Sequence, residues 1–162
     1  MGRKARETIG VDVDELVEKL NKAYADEWLA YYQYWIGAKV LKGPMRGAVA
    51  AELVEHANEE LRHADMLAER ILQLGGQPIL APEQWYDMTN CGYEAPTNGS
   101  VKAIVTQNLE GERCAIGVYD EMLRMVRDKD DVTYNMLLEI QGDELEHEED
   151  LETFLEDLEV VQ

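Results

Sequence analysis

The chain has 162 residues, which suits one domain or at most two small ones, and 46% of them are apolar, enough for a folded core instead of a disordered acidic tail. Its 34 acidic and 15 basic residues give a net charge of −19, and a strongly negative surface disfavours nucleic acid as a partner. No apolar run approaches the roughly 18–20 residues of a membrane span, and signal-peptide and disulfide-scaffold patterns are missing, so we expect a cytoplasmic protein.

Glycine and proline residues divide the chain into four long segments. Helical spacing of apolar residues, without the strict alternation of strands, predicts one helix in each segment. The predicted helices span about 12–42, 45–74, 100–127 and 131–159. The residues that precede them, 1–11, are predicted to form a flexible N-terminal arm, and residues 12–162 the helical domain.

The connections between the predicted helices determine how they pair. The first and third joints have only about two to four residues, so each should link antiparallel neighbours. The middle connection has about 25 residues, which is enough to run back along the helices, and Glu83–Met88 within it could add a helical turn. The prediction is an all-α four-helix bundle of two helical hairpins joined by a long crossover.

Two copies of one motif carry candidate metal ligands. The second helix contains Glu60-Leu61-Arg62-His63 and the fourth contains Glu144-Leu145-Glu146-His147. Residues three apart share a helix face, so each glutamate and histidine can bind one metal ion. Both motifs interrupt the apolar stripe of their helix, where an unpaired carboxylate is costly. Glu27 and Glu110 are predicted to hold the same position on the first and third helices.

The charges of these residues balance if two divalent cations are bound. Four carboxylates carry −4 and two divalent ions carry +4, which leaves a neutral cluster that an apolar bundle can bury. Mixed carboxylate and imidazole ligands suit iron or manganese. The alternative is that all six side chains are solvated or ion-paired, as in an acidic helical scaffold for a protein partner.

These motifs, with Gly76-Gln77-Pro78 after the second helix and Asp143 before Glu144, are similar to those of the bacterioferritin and Dps-like branch of the ferritin-like di-iron superfamily. The resemblance covers about residues 14–158. It implies two irons per subunit, with manganese as an alternative, bound within one bundle. The implied ligands of the two ions are Glu27, Glu60 and His63 for one, and Glu110, Glu144 and His147 for the other, with Glu60 and Glu144 bridging.

Departures from the bacterioferritin pattern refine the expectation. Leu61 stands where haem-binding members have methionine, so no haem is expected, and only 15 residues follow His147, too few for a fifth helix. The chain therefore resembles most closely the Dps-like proteins called thioferritins, which implies a homo-oligomeric shell of 12 subunits. Thioferritins carry a cysteine pair near the metal site, and Cys91 and Cys114 fit that pattern.

The resemblance implies a ferroxidase that oxidises Fe(II) with hydrogen peroxide, stores iron and limits oxidative damage. The cysteine pair would cycle between dithiol and disulfide, and Tyr34 would act as a redox-active or orienting residue. The alternatives are that the cysteines are two unrelated free thiols and that Tyr34 serves only in packing. A rubrerythrin-like or manganese-catalase-like peroxide scavenger without iron storage is the alternative. His56, one turn before Glu60, is either a hydrogen-bonded core residue or a helper in iron passage.

Overall fold

Helices form nearly all of the ordered structure of the chain. The computed structural model describes residues 3–160; Met1, Gly2, Val161 and Gln162, the ends of the predicted arm and bundle, lie outside the described residues. The helices are α1 (Arg3–Glu7), α2 (Val13–Val40), α3 (Arg46–Gln73), α4 (Trp85–Met88), α5 (Val101–Val126) and α6 (Asp131–Val160).

The four long helices form two antiparallel hairpins, α2 with α3 and α5 with α6, and the hairpins meet through α2 with α5 and α3 with α6. A crossover over residues 74–100 joins them and contains a 3₁₀ turn, Pro82–Gln84, followed by α4. The predicted bundle, its topology and the helical turn in the crossover are confirmed. Among residues 3–160 no strand forms, and no helix there has both the length and the apolar character to cross a membrane.

Local signals in the sequence set the ends of these helices. Asp12 caps α2, because its side chain accepts a hydrogen bond from the backbone N–H of Glu15 at 2.8 Å. The chain leaves α3 through Gly75, whose φ of 74° favours glycine. A Cβ on Gly76 would lie 2.6 Å from a Val17 methyl, so the exit from α3 packs directly on α2.

Two apolar clusters fill the bundle, one toward each end. The first is built around Leu20, Leu67, Ile71, Met122 and Leu137, and the second around Leu53, Ile104, Val105, Leu109 and Leu151. Between them lies a layer of buried polar side chains. The apolar clusters therefore exclude water from the middle of the bundle at both of its ends.

The predicted arm contacts the end of the bundle. Arg6, in α1, donates hydrogen bonds to the carbonyl of Leu74 at 2.9 Å and to Asp14 at 2.7 Å. The N–H of Gly10 donates to the carbonyl of Lys129 at 2.8 Å. The described arm residues thus touch both hairpins, and their mobility stays a prediction.

A buried ion pair ties the two hairpins together at this end. Arg70 of α3 donates to both carboxylate oxygens of Asp130, at 3.0 and 2.9 Å, and to the Thr133 hydroxyl at 2.7 Å. Burial alone would raise the pKa of Asp130, but hydrogen bonds from Thr133 and Arg70 outweigh it and lower the pKa. The pair therefore stays charged although its side chains are almost fully buried.

Replacement of Arg70 by methionine should lower the free energy of unfolding by about 3–5 kcal/mol, because it leaves the Asp130 charge buried without a partner. Arg124→Met is the matched control, since Arg124 pairs with Asp120 on the surface, and should cost less than about 1 kcal/mol. Urea denaturation of both variants measures the difference. Equal losses would show that the buried pair does not hold the hairpins together.

Candidate metal centre

Six buried side chains from the four long helices converge in the polar layer. Each is at most 3% exposed. They form two groups whose ligand atoms lie within 4.8 Å of one another, and Glu60 and Glu144 belong to both groups. The first group is Glu27, Glu60, His63 and Glu144, and the second is Glu60, Glu112, Glu144 and His147.

The histidines mark the centres of the two groups. His63 Nδ1 lies 3.1 Å from Glu144 Oε1, 3.3 Å from Glu60 Oε2 and 3.6 Å from Glu27 Oε2. His147 Nδ1 lies 3.2 Å from Glu60 Oε1, 3.5 Å from Glu112 Oε1 and 3.6 Å from Glu144 Oε2. Each centre therefore combines one imidazole with one carboxylate of its own and shares two carboxylates with the other centre.

The predicted placement of Glu110 in this cluster is wrong, and Glu112 occupies the position. The Glu110 side chain is 65% exposed and pairs with Arg113 at 2.9 Å. The buried face of α5 runs through Asn108, Leu109 and Glu112. Glu110 lies two residues from Glu112, about 200° around the helix, and therefore faces away from the cluster. The other five predicted ligands, Glu27, Glu60, His63, Glu144 and His147, lie in the cluster.

A repeated spacing in the sequence points to Glu112. Tyr34 follows Glu27 by seven residues on α2, and Tyr119 follows Glu112 by seven residues on α5. Each tyrosine donates a hydrogen bond to the glutamate of the other helix: Tyr34 to Glu112, and Tyr119 to Glu27. Tyr34 was predicted from the sequence and Tyr119 was not, although the repeated spacing from glutamate to tyrosine marks both.

The Nε2 atoms of both histidines, which face away from the cluster, contact acidic residues. His63 Nε2 lies 2.9 Å from Asp143 Oδ2, and His147 Nε2 contacts Glu59. Asp143 immediately precedes Glu144 on α6 and contacts the histidine of α3, whereas Glu59 immediately precedes Glu60 on α3 and contacts the histidine of α6. The arrangement is therefore two-fold symmetric. A hydrogen bond at Nε2 fixes the ring and turns Nδ1 toward the cluster, as in histidines that bind metals.

The unsatisfied atoms of the cluster fit two metal ions. Among the described residues, Glu60 Oε1, Glu112 Oε2, Glu144 Oε1 and His147 Nδ1 are buried without a hydrogen-bond partner. Such atoms cost free energy unless something binds them. Oxygen and imidazole donors in this ratio suit iron or manganese, so the cluster is a buried carboxylate–histidine di-metal site.

Without metal, the cluster retains protons. Burial, followed by repulsion from Glu60 and Glu144, raises the pKa of Glu27, and the same causes raise that of Glu112. Burial opposes the charge on His63 and His147, but the surrounding carboxylates stabilise the protonated rings more strongly and raise their pKa. Metal ions must therefore displace protons when they bind.

A cavity of about 270 Å³ leads to the cluster from beneath the crossover. Glu27, Glu60, Glu112 and Glu144 line its inner end, and crossover residues 91–94 line it toward the surface. Cys91, in the crossover, forms a disulfide with Cys114 of α5, and their Cα atoms are 5.8 Å apart. The structure thus joins the predicted cysteine pair and places Cys91 in the lining of the cavity.

The crossover is attached beside the cluster by Asp26, the neighbour of Glu27. The Asp26 carboxylate accepts hydrogen bonds from the backbone N–H groups of Asn90 and Cys91, at 2.8 and 2.9 Å, and from the Thr89 hydroxyl at 2.5 Å. Asp26 is buried, and this burial raises its pKa despite those hydrogen bonds. One helix segment therefore positions both a candidate ligand and the disulfide.

The sequence of the chain matches that of a known protein family. A model of the ferritin-like domain matches residues 17–161. The chain belongs to the ferritin family.

Three known proteins are similar to the chain. A dodecameric thioferritin from Bacteroides fragilis, described as bacterioferritin-related, is 42% identical, with a TM-score of 0.92 over 93% of this chain and 90% of that chain. The DNA protection during starvation protein of Pyrococcus furiosus is 36% identical over 148 residues, 90% of this chain and 80% of the relative. The Desulfovibrio desulfuricans bacterioferritin, whose solved structure contains a diiron site, is 29% identical. Its TM-score is 0.74, and the match covers 88% of this chain and 78% of that chain. The predicted likeness to Dps-like thioferritins is confirmed.

Replacement of Glu112 by glutamine should weaken metal binding about 100-fold or more at one of the two positions, because a charged ligand is lost. Glu110→Gln is the matched control, since it removes the same charge from the same helix outside the cluster, and it should bind like the wild type. Anaerobic Fe(II) titration measures both. Loss of binding in the Glu110 variant, with wild-type binding in the Glu112 variant, would contradict the assignment.

Proposed function

We propose that the protein is a Dps-like ferroxidase that oxidises Fe(II) with hydrogen peroxide within each subunit, stores the product and limits oxidative damage. One observation carries the proposal: two metal positions share Glu60 and Glu144 inside a single chain. The sharing supports two iron ions bound side by side, on the order of 3.5–4 Å apart, as in two-metal sites. The proposed metal content is two Fe per subunit, with Mn as an alternative.

Two adjacent Fe(II) substrate ions supply the electrons that peroxide needs for a two-electron reduction. The balance is 2 Fe(II) + H₂O₂ + 2 H⁺ → 2 Fe(III) + 2 H₂O, in which the O–O bond breaks and no hydroxyl radical leaves. Glu60 and Glu144 hold the two ions together, and Glu27 and Glu112 each bind one of them. Tyr119 and Tyr34 orient these two outer carboxylates by hydrogen bonding.

The cavity beneath the crossover supports access for small substrates. It ends at four carboxylates, and a negative field of this kind attracts cations. The apolar clusters on either side exclude bulk water from the remainder of the layer. Fe(II) and hydrogen peroxide are both small enough for such a cavity.

Anaerobic protein loaded with two Fe(II) per chain should consume one peroxide for every two Fe(II), and should react with peroxide faster than with O₂. Stopped-flow absorbance and peroxide titration measure rate and stoichiometry. Glu121→Gln, on α5 but outside the lining of the cavity, is expected to behave like the wild type, whereas Glu112→Gln should lose the rapid reaction with peroxide. A ratio of one peroxide per Fe(II), or equal rates with the two oxidants, would contradict the proposal.

The disulfide supports a route for electrons back to the site. As a dithiol, the Cys91–Cys114 pair can release two electrons and two protons on forming the S–S bond, which suffices to reduce two Fe(III) to Fe(II). An external dithiol reductant then restores the thiols by exchange. The position of Cys91 in the lining of the cavity, with Cys114 bonded to it, favours this role.

The double variant Cys91→Ser/Cys114→Ser should slow turnover driven by a dithiol reductant on the order of tenfold, because the exchange step is lost. Fe(II) titration should still give two ions per chain, which shows that the bundle and its ligands are intact. Turnover is followed as peroxide consumed per chain after the first two Fe(II) are oxidised. Unchanged turnover would remove the cysteines from the mechanism.

The same disulfide favours a second candidate, a rubrerythrin-like or manganese-catalase-like peroxide scavenger that stores no iron. Recycled electrons would let such a protein reduce peroxide without consuming its metal. Iron added in excess separates the two functions, since storage requires many oxidised iron ions to stay with each assembly. Precipitation of all iron beyond two per chain would favour the scavenger.

We propose a homo-oligomeric shell of 12 subunits, which the dodecameric Bacteroides fragilis thioferritin supports. Native mass spectrometry measures the subunit number. The cytoplasmic location, the absence of haem and the lack of nucleic-acid binding expected from the sequence stay predictions.

A further inference from the structure

A third group of potential metal ligands lies outside the di-metal site. Glu52 and His56 of α3 and Asp150 of α6 each offer an atom within 4.8 Å of the other two. His56 Nε2 lies 3.3 Å from Asp150 Oδ2 and 3.5 Å from Glu52 Oε1. Ligands around one metal ion, each about 2.0–2.2 Å from it, are separated by similar distances.

The histidine of this group is buried and directed at the two carboxylates. His56 is 1% exposed, and among the described residues its Nδ1 has no hydrogen-bond partner. Its ring stacks on that of His147, with centroids 4.0 Å apart, and packs edge-on against Tyr34. These contacts pack the ring in the orientation in which Nε2 faces Glu52 and Asp150.

The charge of the group is not balanced by basic residues. Within the part of the chain that the structure describes, neither Glu52 nor Asp150 forms an ion pair with lysine or arginine. The Glu52 and Asp150 side chains are 32% and 39% exposed. An ion can therefore reach them from solvent while His56 meets it from the interior.

The group lies on the opposite side of the bundle from the cavity. Because α2 pairs with α3 and α5 with α6, the crossover side is formed by α2 and α5 and the other side by α3 and α6. The cavity opens beneath the crossover, whereas Glu52, His56 and Asp150 lie on α3 and α6. The di-metal site is between them, joined to the third group by the His56–His147 stack.

We propose that Glu52, His56 and Asp150 bind a third divalent cation on the α3–α6 face of the bundle. One imidazole and two carboxylates suit Fe(II), Mn(II), Zn(II) or Co(II), and a divalent ion neutralises the two acidic charges. When substrate iron is present, this site holds an ion next to the di-metal site, on the side away from the cavity. The binding itself does not depend on the proposed oxidation.

Anaerobic titration with Co(II) at physiological salt should give three ions per wild-type chain and two per Glu52→Gln/Asp150→Asn chain. Both substitutions keep the shape of half-exposed side chains, so the bundle should fold. The matched control is Glu55→Gln/Glu149→Gln, which removes two exposed acids from the same helices and should still bind three. A wild-type count in the Glu52/Asp150 variant, or the same loss in the control, would overturn the proposal.

Anomalous diffraction from wild-type crystals soaked in Co(II) locates the ions independently of any variant. We expect a peak about 2.1 Å from His56 Nε2 in addition to two peaks at the di-metal site. Two peaks without the third would overturn this inference and leave the proposed function intact. A peak at His56 with none at the di-metal site would support the inference and contradict the proposed function.

Discussion

Burial of four carboxylates in the middle of an apolar bundle is the constraint on which the structure depends. Glu27, Glu60, Glu112 and Glu144 are almost fully buried between two apolar clusters. Unpaired charges in such a place are too costly for a stable fold, so they must hold protons or bind cations. The raised pKa values of Glu27 and Glu112 correspond to proton retention in the metal-free protein. Two bound metal ions would instead neutralise the four carboxylates.

The residues around the four carboxylates favour metal binding. Tyr34 and Tyr119 orient the two outer carboxylates, and Asp143 and Glu59 orient the two histidines. This support follows the two-fold symmetry of the two hairpins. The asymmetric features lie outside the layer: the crossover with its disulfide covers α2 and α5, and the half-exposed acidic group lies on α3 and α6.

Sequence patterns predicted the bundle because they are local and strong. The helix breaks at Gly43-Pro44 and Gly75-Gly76 and the length of the crossover follow directly from the residues, and the spacing of Glu60 with His63 and of Glu144 with His147 defines two ligand faces. The ligand face of α5 was harder to predict, because Glu110 and Glu112 lie on nearly opposite sides of that helix and no histidine marks the correct one. Counting from Glu110 instead of Glu112 rotates the face by about 200°, and only the repeated spacing from glutamate to tyrosine corrects it.

Contacts between distant segments were beyond the sequence. The partner exchange between Tyr34 and Tyr119, the attachment of the crossover to Asp26 and the meeting of His56 with Asp150 each join residues at least 63 positions apart. Such contacts depend on the rotation of each helix about its axis, which periodicity defines only roughly. The net charge of −19 is partly explained, since four of the acids belong to the di-metal site.

The crystal structure of the protein loaded anaerobically with Fe(II) tests the central claim most directly. The account predicts two iron ions per chain, about 3.5–4 Å apart, both bound by Glu60 and Glu144, with Glu27 and His63 on one and Glu112 and His147 on the other. A single ion, or a pair completed by ligands from a neighbouring subunit while Glu112 stays unbound, would contradict it.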